Sequence, residues 1–191
     1  GYAPGGVAVF IKTLTDNKNR TVSEIRHAFT KYGGNLGTSG SVAYLFEAKG
    51  KLLVDSDLSN EKLYEIAAEN GANDINELDG SKTEIVCEPK DLSSLKEKLE
   101  SDNFIVEASE IVMETETNIP LDSEQSEKNM KLTDAIEDLD DVQEVFTNAD
   151  LDESVFKSWQ LIKEKKGMIS KEKLLKNYKN ISTLSNQLEE Y

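Results

Sequence analysis

The 191-residue chain carries 37 acidic residues against 22 lysines and arginines, a net charge of −15, with 37% hydrophobic residues, one cysteine and one histidine. That composition suits a globular protein with one sizeable core or two small ones, and two compact modules are expected. A lone Cys87 forms no internal disulfide, and Cys87 with His27 builds no zinc site from those ligand types, so neither a redox role nor a metal is expected. No apolar run approaches the roughly 20 residues of a membrane span, and residues 1–9 lack the basic flank of a signal peptide, so the expectation is a cytoplasmic protein without a membrane partner.

Charge is unevenly spread. Residues 1–51 hold seven basic and three acidic side chains, residues 52–153 seven and thirty, and residues 154–191 eight and four. A mildly basic start therefore precedes a strongly acidic, solvated middle, and only the first suits contact with phosphate.

In chain order, the Pro4-Gly5-Gly6 turn leads into a strand over residues 7–15, rich in Val, Phe and Ile. A polar turn at residues 16–20 follows. Thr21-Val22-Ser23-Glu24 has the form of a capping box and predicts a helix start, with Val22, Ile25, Phe29 and Tyr32 forming its apolar stripe. Gly33-Gly34 closes that helix, because glycine accepts a left-handed cap, and residues 41–46 read as the next strand. From residue 50 the order becomes regular. Strand 50–55, helix 59–70, strands 74–78 and 83–87 across an Asp79-Gly80 turn, helix 91–101 and strand 105–113 make βαββαβ, the ferredoxin-like unit. Leu63, Ile66 and Ala67 on one helix and Leu92, Leu95 and Leu99 on the other supply faces that cover one side of a sheet.

Residues 115–127 read as a linker. Leu132, Ala135, Ile136 and Leu139 then mark a helix, and residues 142–146 a strand. The two chain ends together supply β-α-β and α-β, so the fold class is α+β. A discontinuous α/β domain (1–48 and 120–150) accepts a ferredoxin-like insertion (49–118), followed by a helical extension over 151–191. In that extension Phe156, Trp159 and Ile162 recur at helical spacing, and Leu174, Tyr178, Ile181 and Leu188 are spaced to line a second helix, the alternative being a loosely ordered lysine-rich extension with a local aromatic contact.

No nucleophile, base and acid constellation surrounds His27, the carboxylates follow no pairing rule, and Cys87 sits in a β-run as a small core residue, so no enzyme and no cofactor are expected. The glycine-rich loop of Gly33, Gly34, Gly37 and Gly40 closes a helix, whereas phosphate-binding loops open one; it reads as a structural connection. Candidate binding residues lie just before it: Asn17, Lys18, Asn19 and Arg20 in the turn, then Arg26, His27 and Lys31. A turn and a cap account for Asp16, Asn19 and Thr21 but do not require Lys18 or Arg20, and those surplus charges suit contact with a phosphate backbone, of DNA or of ribosomal RNA.

Gly1-Tyr2-Ala3-Pro4-Gly5-Gly6-Val7-Ala8, Leu14 to Thr21, Arg26-His27-Ala28-Phe29, Gly33 to Gly37, Gly40 to Phe46 and Asp140-Asp141-Val142-Gln143-Glu144-Val145, in that order, resemble the YebC/PmpR family. Ala3 departs from it, where the family usually has glycine. The resemblance implies one α/β domain inserted in another, and a basic helical domain ahead of residue 1, so that the chain is expected to be a fragment. It also implies a regulator of gene expression: a DNA-binding transcriptional regulator or, as relatives that include the mitochondrial translational activator of cytochrome c oxidase subunit I suggest, a translation factor acting at the ribosome.

Overall fold

A computed structural model describes residues 1–57, 59–78 and 81–165. The chain divides into two units, one made of Gly1–Phe46 with the segment from Thr115 onward, the other of Glu47–Glu114. The class is mixed α/β with antiparallel sheets.

In the first unit, β1 (Tyr2–Ala3), β2 (Val7–Thr13) and β8 (Val142–Thr147) form an antiparallel sheet in the order β1-β2-β8. A short parallel pair, β7 (Ile119–Pro120) with β9 (Ala149–Asp150), lies beside it in sequence. Helices α1 (Lys18–Lys31), α4 (Ser123–Glu137) and α5 (Glu153–Lys165) complete the unit. Val7 and Val9 of β2, Ile25, Ala28 and Phe29 of α1, Met130, Leu132 and Ile136 of α4, Val145 of β8 and Phe156 of α5 make its core. Two buried asparagines tie loops to it. Asn148 accepts from the Ala8 backbone N–H at 2.8 Å and donates to the Thr117 carbonyl at 3.1 Å, and Asn129 donates to the Pro4 carbonyl at 2.9 Å. Residues expected as a linker thus contain β7 and the start of α4, whose first turn is capped by Asp122 accepting from the Gln125 N–H.

The second unit is β3 (Glu47–Val54), α2 (Glu61–Glu69), β4 (Ala72–Leu78), β5 (Lys82–Cys87), α3 (Leu92–Ser101) and β6 (Val106–Glu114). Its four strands are antiparallel in the order β4-β5-β3-β6, the ferredoxin-like arrangement. Leu52, Val54, Ile85 and Cys87 meet Leu63, Ile66, Ala67, Leu92, Leu95 and Leu99 in one core.

Three local expectations are corrected. Helix α1 starts at Lys18, not at Thr21, because Asn17 caps it by accepting from the Arg20 N–H at 3.2 Å. Val22 of the expected apolar stripe is exposed, and Thr21 and Ala28 are buried in its place. Residues 41–46 are not a strand: Gly40, at φ +79°, turns the chain, and a single 3-10 turn, Ala43–Leu45, follows. The Asp79-Gly80 turn, the Ile162 side chain and the second tail helix lie outside the described residues.

Candidate nucleic-acid interface

The start of α1 is fastened to the body of its unit by one carboxylate. Antiparallel pairing brings Thr13 opposite Val142, and the Leu14 N–H donates to the Asp141 carbonyl at 2.9 Å, so the Asp141 side chain meets the first turn of α1. Its Oδ2 accepts from Thr21 Oγ1 at 2.6 Å, Thr15 Oγ1 at 3.0 Å and Arg20 Nη2 at 3.0 Å. Each threonine has one hydroxyl proton, so donation to Asp141 uses both, and the 2.8 Å approach of the two hydroxyl oxygens follows from their shared acceptor. Hydrogen bonds from Thr21, then Arg20, hold the Asp141 carboxyl below its ordinary range, and the same contact raises the Arg20 guanidinium. Arg20 also meets Asp16 at 3.1 Å. One of the two surplus charges is therefore bound within the protein.

The other candidates lie on the exposed side of α1. At 3.6 residues per turn, Asn19, Ser23, Arg26 and Thr30 form one outward row and Arg20, Glu24, His27 and Lys31 a second, while Lys18 stands apart, above the half-exposed Val22. Ser23 and Thr30 turn their hydroxyls back to the carbonyls of Asn19 and Arg26. Among the described residues Lys18, Arg26 and Lys31 form no ion pair, and Lys31 Nζ lies 5.2 Å from the centre of the Tyr32 ring. Asn17, a candidate from the sequence, is occupied as the helix cap. The structure thus brings Arg26, His27 and Lys31 together toward the end of the helix and separates them from Lys18.

Past Tyr32 the glycine loop has a mechanical role. Gly33 at φ +80° and the bond from the Gly34 N–H to the Phe29 carbonyl at 2.8 Å make a Schellman closure. A side chain on Gly34 would meet the Tyr2 carbonyl oxygen at 2.7 Å, because the backbones of Tyr2 and Asn35 exchange two 2.8 Å hydrogen bonds there. Gly37 lies against the Ser41 hydroxyl, whose oxygen is buried and has no hydrogen-bond partner among the described residues. Beyond this loop, the 3-10 turn presents Tyr44 at 77% exposure. Sequence reading missed Asp141 and Thr15, which brace the start of α1, and the outward Tyr44; only their places in the Asp140-Asp141, Leu14 to Thr21 and Gly40 to Phe46 segments of the family pattern mark them in advance.

Among the described residues no three His, Cys, Asp or Glu side chains gather in a way that would hold a metal ion, and no helix is long and apolar enough to cross a membrane. The described residues thus form two α/β units, the first of which carries cationic side chains on the exposed face of α1.

Residues 1–149 match the family described as the TACO1/YebC second and third domain, and the chain belongs to that family. A probable transcriptional regulatory protein of Hahella chejuensis is 46% identical over 158 residues, covering 83% of this chain and 64% of the relative. One from Burkholderia mallei is 46% identical over 149 residues, covering 78% of this chain and 62% of the relative. The chain therefore spans just under two thirds of the length of the relatives it matches. The crystal structure of a conserved hypothetical protein, Aq1575 of Aquifex aeolicus, is 45% identical and superposes with a TM-score of 0.68 over 80% of this chain and 63% of that one.

Proposed function

We propose that this chain is the nucleic-acid-docking part of a regulator of gene expression, that its partner is a structured RNA such as that of the ribosome, and that the exposed face of α1 contacts the sugar-phosphate backbone without reading sequence. The observation that carries this reading is the local charge: from Ile25 to Phe46 the chain has no Asp or Glu, yet carries Arg26, His27 and Lys31, in a protein of net charge −15. A regulator fits the names of the relatives. Transcription would ask for duplex DNA, and a recognition helix reads the major groove with the residues of its first turn. Here that turn is clasped by Asp141 and flanked by Asp16, and its one guanidinium, Arg20, is engaged with both. A helix so fastened presents its later turns, which suits backbone contact on a large RNA surface.

The test is co-sedimentation of the 191-residue chain with ribosomes, set against its binding to duplex DNA. Replacing Arg26 and Lys31 together by glutamate should weaken ribosome association about ten-fold or more, with a log-log salt slope of about −2 for the unaltered chain if three phosphates are contacted. Nanomolar, sequence-selective binding to duplex DNA by this chain, or ribosome association indifferent to those charges, would overturn the reading.

A further inference from the structure

Tyr44 is the exposed residue of the 3-10 turn. Its neighbours on the 3-10 turn are anchored: Val42 and Phe46 are buried, Phe46 packs its ring 5.6 Å from Phe10, and the Ala43, Leu45 and Phe46 N–H groups donate to the carbonyls of Gly40, Val42 and Ala43. That anchoring turns Tyr44 outward, and among the described residues no aromatic ring packs on either of its faces. Tyr2, the outward residue of β1, has its phenol pKa pushed up, chiefly by the neighbouring Tyr44 hydroxyl. At 77% exposure the ring leaves most of its surface open to a ligand.

The surrounding chain says what the ring meets. Tyr44 lies inside the carboxylate-free stretch that begins at Ile25, and residues 1–15 are carboxylate-free as well. Thr38, Ser39 and Gly40, just before the turn, are exposed and uncharged. That stretch brings no negative side chain of its own to a polyanion, and Arg26 and Lys31 lie on the helix leading into the loop. Proteins hold unpaired nucleotides by stacking bases on exposed aromatic rings beside cationic side chains that follow the backbone. We infer that Tyr44 is a stacking platform for an unpaired base of RNA, in the same folded unit as the backbone contacts of α1. This site rests on the RNA reading above and adds to it a contact that does not depend on charge.

The experiment uses the 191-residue chain and a short single-stranded oligoadenylate containing 2-aminopurine, whose fluorescence is quenched on stacking, together with the same strand made abasic at that position. Tyr44→Ala should weaken binding of the intact strand about five-fold or more. Tyr44→Phe, which keeps the ring, should bind within about two-fold of the unaltered chain by the same stacking logic. The abasic strand should bind both variants alike, and all three proteins should melt together because the ring is exposed. An equal loss on the abasic strand overturns the platform, since the ring would then touch backbone or act indirectly. So does a Tyr44→Ala variant that binds the strand normally but no longer sediments with ribosomes, which would place a protein surface on the ring. If Tyr44→Ala changes nothing while Arg26→Glu abolishes binding, the platform falls and the α1 interface stands; if the unaltered chain binds no RNA even at low salt, both fall.

Discussion

The clasp at Asp141 makes a sharp prediction for Thr21→Val. Valine matches threonine in shape and differs little in helix propensity, so the substitution removes one hydroxyl and little else. That hydroxyl belongs to a residue only 3% exposed and donates at 2.6 Å to a carboxylate. A hydrogen bond to a charged group contributes about 1.5–3 kcal/mol, and because Asp141 keeps Thr15 and Arg20 the loss should sit near the lower end, about 1.5–2 kcal/mol. In a unit of this size that lowers the melting temperature by roughly 10 °C. Trp159, the sole tryptophan, packs against the core of the same unit, so its fluorescence in a urea titration reports this unit specifically. The pH dependence carries a second check. Asp141 titrates below its ordinary range, so its stabilisation is fully present above the unfolded value of about 3.9 and is lost as pH falls through the folded value. The difference between the two proteins should therefore be flat from neutral pH to about 5 and shrink below about 4. A loss under about 0.5 kcal/mol at neutral pH, or a difference that persists unchanged into strong acid, would refute the clasp.

Phe156→Ala should destabilise the first unit by about 3–5 kcal/mol, because a fully buried ring leaves a cavity; Trp159 fluorescence at low denaturant would show it, and a normal midpoint would mean that α5 is not part of this core. Lys51→Met should destabilise the second unit by about 1–3 kcal/mol, less than a fully buried pair, since it removes the shared cation of Glu84 and Glu114, which keep some contact with water. Burial pulls the Lys51 ammonium down, but Glu84 and Glu114 outweigh it and leave its pKa raised. The contribution thus holds through neutral pH and fades only as pH rises through a value above the usual lysine range, which amide exchange at Leu52 against pH can follow.

What could be read from the sequence is whatever is decided within one element or between adjacent ones. The ferredoxin-like unit was legible because Leu63, Ile66 and Ala67, and Leu92, Leu95 and Leu99, each mark a single face, and all six are buried in one core. Residues 41–46 misled because Val42, Tyr44 and Phe46 alternate as a strand does. A 3-10 turn gated by Gly40 also buries Val42 and Phe46 and turns Tyr44 out, so burial pattern alone does not separate the two. The sequence reading puts the start of α1 at Thr21; Asn17 caps it instead, and the Thr21 hydroxyl is taken by Asp141, 120 residues away in sequence. The same distant carboxylate converts Arg20 from a surface charge into a structural one. Periodicity places charges on a face but is blind to which of them are already paired.

That pairing changes what kind of binding the first unit can support. With Arg20 neutralised, Lys18 isolated and Glu24 one turn ahead of His27 in its row, the free charge of α1 reduces to Arg26 and Lys31. Two or three phosphate contacts, screened at physiological salt, give weak association that any polyanion would satisfy. A partner of defined shape needs a term that salt does not erode, and an aromatic ring on a rigid turn supplies one through contact area rather than charge. The glycines then acquire a reason beyond chain reversal. Gly33 and Gly34 bring the end of α1 against β1, so that the cationic face, Tyr2 and the turn that carries Tyr44 belong to one folded unit, and a side chain at Gly34 would push Tyr2 away at 2.7 Å. On the proposed reading the part of the loop is mechanical: it would set the spacing between Arg26 and Lys31 and the turn that carries Tyr44.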